Sequence, residues 1–171
     1  KVVVDSPSIV AIDQKSDKII AVGKEANLMH GKTHENIKTI RPLKDGVIAD
    51  FNASEQMIGQ LIKSIPNLNK RFYSPSLKMV ICIPSGITEV EMRAVKESAE
   101  RVNGKEVYLI HEPMAAAIGM GIEVQEPRGN MIIDIGGGTT EIAVLSLGGI
   151  VKDKSIKVAG DIFTSDIRYY M

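Results

Sequence analysis

"MIIDIGGGTTEIAVL", residues 131–145, sets three glycines between two apolar runs, with an aspartate entering the gap and two threonines leaving it. A plain hairpin needs only one or two residues of positive φ, commonly Asn-Gly or Gly-Gly. Three glycines instead leave a stretch of backbone without side chains. That suits close approach by another group, and a phosphate is the obvious guest. The amides of Gly136, Gly137 and Gly138 can curl around an anion, and Thr139 adds a hydroxyl donor. Asp134 would repel a bare phosphate, so a cation is required. Magnesium, held through its waters by Asp134, resolves the conflict and points to a nucleotide polyphosphate. The plain alternative is a glycine-rich hairpin that binds nothing.

Outward from this hairpin the chain alternates strands and helices. "VVVD" and "SIVAID" read as strands around Pro7, "KIIAVG" as a third, and "KEANLMH" as a short helix. "IKTIRPLKDGVIAD" reads as extended chain broken at Pro42 and Asp45-Gly46. Met57, Ile58, Leu61, Ile62 and Ile65 repeat at helical spacing, with Asn52 and Glu55 as the expected cap and Pro66 as the stop. "LKMVICIP" reads as a strand buried on both faces, which makes Cys82 a buried small hydrophobe. Thr88 and Glu91 form a capping box that opens a helix to about Val102. "EVYLI" is a further strand, and Pro113 starts the helix "PMAAAIGMGI". The polar "EVQEPRGN" is the best candidate for a break; the hairpin, a strand around "GIVKDKSIKVAG" and a last helix follow. Alternating elements followed by an antiparallel meander predict an α/β fold with a mixed sheet.

Composition limits the function classes. Of 171 residues 44% are apolar, and 21 acids balance 21 bases, so the chain has no basic footprint for nucleic acid. One cysteine excludes a disulfide framework and fits a reducing compartment. No stretch reaches membrane-spanning length and no signal peptide is visible. Gly31-Lys32-Thr33 has the ending of a phosphate-binding P-loop, but the motif's first glycine falls on Ala26. His111-Glu112 opens like a zinc-binding H-E-x-x-H, yet Ala115 stands at the final position. Ser85 lacks the glycines of a nucleophile elbow and reads as a strand-to-helix turn. Glu112 sits where a strand hands over to a Pro-started helix, a usual place for functional groups. Alone, it reads better as an acid complementing the helix N-terminus.

"IRPLKDGVIADF", "VICIPSGIT", "YLIHEPMAAAIG", "NMIIDIGGGTTEIAVLSLGGIV" and "VAGD" occur in this order and cover nearly the whole chain. Together they resemble the MreB family of bacterial actin homologues, within the actin, chaperone and sugar-kinase ATPase superfamily. The resemblance implies an actin-like ATPase fold, with two lobes built on ribonuclease-H-like mixed sheets and flanking helices, closing over ATP and Mg2+. Residues 1–111 would form the first lobe without its N-terminal phosphate hairpin, 112–121 the hinge helix, and 122–171 the truncated start of the second lobe. Asp134 to Thr139 would be the second phosphate loop, with Asp134 facing the water shell of Mg2+. Glu112 would be the catalytic acid that orients and helps deprotonate the attacking water, and Asp161 would lie near the nucleotide. Phe72 and Tyr73 in "NKRFYSP" resemble the family's membrane-insertion loop, the alternative being that both rings cover the edge of the core.

The function so implied is an ATP-hydrolysing, filament-forming cytoskeletal protein that organises cell-wall synthesis and cell shape. It would be cytoplasmic, held peripherally at the inner face of the membrane, and would partner its own copies and wall-elongation proteins, with no nucleic acid. A small-molecule kinase or a chaperone-type ATPase of the same superfamily is the alternative. With half a nucleotide site, these residues alone would be inactive. The closing "GDIFTSDIRYYM" departs from the commoner acidic "GDEMDEAI" pattern, a mark of a divergent branch.

Overall fold

The computed structural model describes residues 1–44, 47–65 and 76–171, which divide into two compact units. The first comprises Lys1–Lys44, the described part of Ile48–Met79, and Arg93–Val107; the second holds Val80–Met92 and Tyr108–Met171.

The first unit is built on a three-stranded antiparallel sheet of β1 (Val10–Asp13), β2 (Lys18–Val22) and β3 (Ile37–Ile40), with β1 in the centre. Strand side chains alternate between faces, so the centre strand can feed two cores. Ile9 and Ala11 pack with Ala21 and with Ala26 of α1 (Lys24–Met29). Val10 and Ile12 face the other way, onto Ala53, Met57 and Leu61 of α2 (Phe51–Ser64). These three helical residues recur every fourth position; Met57 and Leu61 belong to the stripe that the sequence periodicity predicted, Ala53 extends it, and Ile58, Ile62 and Ile65 lie outside this cluster. Between the sheet and α2 lie two short strands, β4 (Leu43–Lys44) and β5 (Val47–Ile48), which pair with each other.

Three local readings are corrected. Residues 1–9 form no strand, and Val2 and Val3 are exposed; a β-branched run with no partner strand has nothing to bond its backbone. The cap of α2 is Asp50, not Asn52. Asp50 is in extended conformation, and its carboxylate accepts the Ala53 N–H at 2.9 Å, satisfying a donor that the helix itself leaves open. In β6 (Leu77–Ile83) burial alternates, with Lys78, Val80 and Cys82 exposed, so Cys82 is not buried. A continuous apolar run does not by itself say how many faces are covered.

The capping box stands as predicted. The Thr88 N–H donates to Glu91 at 2.8 Å, and the Glu91 N–H donates back to the Thr88 hydroxyl at 3.3 Å, opening α3 (Glu89–Arg101). At the far end of α3, Arg101 lies 4.9 Å over the Phe51 ring and pairs with Glu55 at 3.4 Å. β7 (Gly104–His111) pairs with β6 and leads straight into α4 (Glu112–Gly119), where proline occupies the first turn.

The second unit carries an antiparallel sheet of β8 (Asn130–Ile135), β9 (Thr140–Ser146) and β10 (Gly149–Ile156), with β9 in the centre. Leu147 and Gly148 turn β9 into β10, both at positive φ as a tight two-residue hairpin demands. The Gly148 and Leu147 amides donate to the carbonyls of Val124 and Glu126, so the expected break over 123–130 falls inside this unit. One sheet face buries Ile132, Ala143 and Leu145 against Met114, Ala116 and Ala117 of α4. The last helix, α5 (Gly160–Tyr170), has no buried residue. Among the described residues no helix is long and apolar enough to cross a membrane.

The cap assignment has a direct test. Asp50→Ala is expected to lower unfolding free energy by about 1 kcal/mol in urea titrations. Asn52→Ala is expected to stay within roughly 0.5 kcal/mol of the parent, as for an exposed surface residue. A larger loss at Asn52 than at Asp50 would return the cap to Asn52.

Candidate functional site

The β8–β9 hairpin closes at the Ile135–Thr140 pair, and the Gly136 amide donates across the loop to the Thr139 carbonyl at 2.9 Å. None of Gly136, Gly137 and Gly138 is at positive φ, so the glycines are not there to relax the backbone. They permit approach, as expected, but the neighbour they admit is the chain itself. The Gly160 and Asp161 amides donate to the Gly136 and Gly137 carbonyls at 3.1 and 2.8 Å. Those amides are donors that the first turn of α5 cannot use internally. A Cβ on Gly160 would come within 3.3 Å of the Gly136 carbonyl, and one on Gly137 would lie 3.8 Å from the Asp161 carboxylate. The structure therefore brings Asp161 against the glycine loop.

Asp134 is half-buried on the face of β8 that packs on α4, and Glu141 stands directly opposite it on β9. Like charges directly opposed across a ladder are unfavourable. Glu141 is 1% exposed, and its carboxylate is held by three donors. The Ser85 N–H and hydroxyl donate to one oxygen at 3.1 and 2.5 Å, and the Ser155 hydroxyl donates to the other at 2.6 Å. Neither Glu141 nor the role of Ser85 was anticipated from the sequence. The signal was present in "TEIAVL", where alternation puts Glu141 on the same face as Ala143 and Leu145.

Glu112 opens α4, and the packing of α4 on β8 and β9 brings it to this acidic end of the sheet. Burial first, then the negative charges of Glu141 and Asp134, push its carboxyl above the ordinary carboxylate range. That displacement is opposite to what the positive end of α4 would produce, so complementing the helix does not account for it. The Cys82 thiol, though exposed, is likewise raised, by the partial desolvation its neighbours impose and then by the charge of Glu112.

Among the described residues no group of three or more His, Cys, Asp or Glu side chains is placed to hold a metal ion directly. A hydrated magnesium ion needs less. It commonly keeps several waters and uses one or two carboxylates besides phosphate oxygens. The opposed acids and the upward displacement of Glu112 are compatible with a cation at this end of the sheet. Phe72 and Tyr73 lie outside the described residues.

The family described as MreB/Mbl protein matches residues 1–171. The cell shape-determining protein Mbl of Bacillus subtilis is 52% identical over 170 residues, covering 99% of this chain and 50% of that protein. The cell shape-determining protein MreB of Escherichia coli is 47% identical over 174 residues, with the same coverage. Among solved structures, MreB 5 of Spiroplasma citri bound to AMPPNP is similar with a TM-score of 0.90 and 41% identity, over 98% of this chain and 50% of that one. The MamK double helical filament, at 20% identity and a TM-score of 0.73 over 95% of this chain and 50% of that one, shares the fold. The chain spans about half the length of the curated relatives it matches. With its actin-like fold and a match over its whole length, the chain belongs to the MreB/Mbl family.

Proposed function

We propose that the complete protein is an ATP-hydrolysing, filament-forming actin-like protein that organises cell-wall synthesis and cell shape. The observation that carries this reading is the convergence of Glu112, Asp134 and the Gly136–Thr139 loop, with Asp161, at one end of the β8–β9 pair. The relatives named cell shape-determining proteins and the MreB5 structures bound to AMPPNP and to ADP support it. The lobe division at 1–111, 112–121 and 122–171 belongs to the same reading, with α4 as the hinge.

In this mechanism the Gly137 and Gly138 amides and the Thr139 hydroxyl donate to a phosphate, while the Gly136 amide closes the hairpin on the Thr139 carbonyl. Asp134 holds Mg2+ through its water shell. When bound, the ion neutralises charge that develops on the phosphate oxygens. Glu112 orients the attacking water and takes its proton. Its raised proton affinity suits that task, because a general base works best when its pKa lies nearer the working pH. Asp161 lies at the nucleotide beside Gly137. Subunits adding head to tail make a contact that does not close, which gives filaments. The partners proposed are further copies of the protein, wall-elongation proteins and the inner face of the cytoplasmic membrane. Phe72 and Tyr73 beside Lys70 and Arg71 are the proposed membrane contact, since aromatics flanked by bases suit a headgroup interface.

Three outcomes are expected. In the complete protein, Asp134→Ala should weaken Mg-ATP far more than metal-free ATP; equal losses by calorimetry would remove the metal role. Phe72→Ser with Tyr73→Ser should reduce co-sedimentation of filaments with anionic vesicles, and unchanged co-sedimentation would place the membrane contact elsewhere.

Glu112→Ala should still bind Mg-ATP and polymerise, while phosphate release falls by roughly a hundredfold or more. Wild-type release per bound nucleotide would refute the catalytic role. A pH series adds a second readout. A carboxyl raised in the folded state contributes stability that is fully present below its ordinary value of 4.5 and is lost as pH rises through the raised one. Glu112→Gln should therefore melt higher than the parent at neutral pH, with the difference vanishing below about pH 4.5.

A further inference from the structure

The buried carboxylate of Glu141 has no packing reason to be where it is. Ala143 and Leu145 fill the same face of β9 with apolar side chains, and a buried charge is retained at a cost unless fully paired. Its pairing connects segments far apart in sequence. Ser85 lies in the turn after β6, Glu141 two residues beyond the glycine loop on β9, and Ser155 opposite Glu141 on β10. Gly86 completes the seat, since a Cβ there would come within 3.3 Å of the Ser155 Cβ. The turn thus rests directly on the end of β10.

Two strand pairs meet at this point. β6 pairs with β7, and β7 runs without a loop into Glu112. β8 pairs with β9, and that pair carries Asp134 and the Gly136–Thr139 loop. The Ser85–Glu141 bonds and the seat of Gly86 on Ser155 hold the two pairs together here, and Glu112 senses the charges of Glu141 and Asp134. We propose that Glu141 is a positioning residue: by fastening the Ser85 turn to Ser155, it sets the place of Glu112 relative to Asp134 and the glycine loop. The proposal rests on the reading of this site as an ATP-hydrolysing one.

The test is single-turnover phosphate release from the complete protein with Mg-ATP, normalised to bound nucleotide, with binding and melting temperature measured alongside. Ser85→Ala and Glu141→Gln should each slow release by about tenfold to a hundredfold, the scale for residues that orient a reacting group. Mg-ATP affinity should change by less than about threefold, because the groups that bind nucleotide are untouched. Ser85→Thr, which keeps the hydroxyl, should recover much of the rate lost in Ser85→Ala. In a Glu112→Ala background, Ser85→Ala should slow the residual release no further, because its effect passes through Glu112.

If Glu141→Gln does not fold, Ser85→Ala and Ser155→Ala decide the matter, since each leaves the carboxylate two of its three donors. Variants that melt lower yet turn over at the wild-type rate would reduce Glu141 to a structural pairing and overturn the proposal. An equal slowing with and without Glu112 would also overturn it. A wild-type protein that binds Mg-ATP and releases no phosphate would instead overturn the proposed function, and this inference with it.

Discussion

Asp134 and Glu141 face each other across the β8–β9 ladder, two like charges that the register of the sheet holds opposite one another. The two acids are handled differently. Glu141 is withdrawn from solvent and given three donors from Ser85 and Ser155, so its charge is compensated inside the protein. Asp134 stays half-buried at the mouth of the glycine loop, where an external cation can reach it. Glu112 then enters from α4 into a field that already disfavours its ionisation. The three acids differ: one is held by donors, one is half-buried without being withdrawn from solvent, and one has its carboxyl displaced upward.

The glycine loop follows the same logic of proximity. Its residues avoid positive φ, and the space left by the absent side chains is used by Gly160 and Asp161 at the start of α5. The Thr140 hydroxyl donates to the Val158 carbonyl at 2.7 Å and ties the approach to α5 to the first residue of β9. Backbone atoms of two segments thus meet closely, and a Cβ on Gly160 would crowd the Gly136 carbonyl at 3.3 Å. The helix uses otherwise idle amides to hold them there.

Much of this was legible in the chain because the deciding signals are local. The Thr88–Glu91 box, the Met57–Leu61 stripe, Pro113 at a helix start and the apolar runs around the glycines each depend on a few neighbouring residues. What failed depended on partners distant in sequence. "VVVD" has strand composition and no strand to pair with, and Cys82 sits in an apolar run of which only one face is covered. Asn52 and Asp50 are both competent caps by type, and only the path of the chain decides which carboxyl or amide reaches a free N–H. Glu141 was missed for a related reason. Its partners lie 56 and 14 residues away, and nothing in "TEIAVL" names them.

The arrangement at the end of β8 and β9 also explains why binding and folding should be coupled in this protein. A fold that collects Glu112, Asp134 and Glu141 at one place holds electrostatic free energy that three donors on one of them relieve only in part. A cation bound through Asp134 would lower the same energy, and it would do so only in the folded chain, where the acids are together. Any ligand that binds the folded state alone raises its stability in proportion to the logarithm of its concentration over its dissociation constant. The residue proposed as the general base is therefore also one that makes the unliganded fold less stable at neutral pH. Glu112 is pushed above its ordinary range first by burial and then by the charges of Glu141 and Asp134.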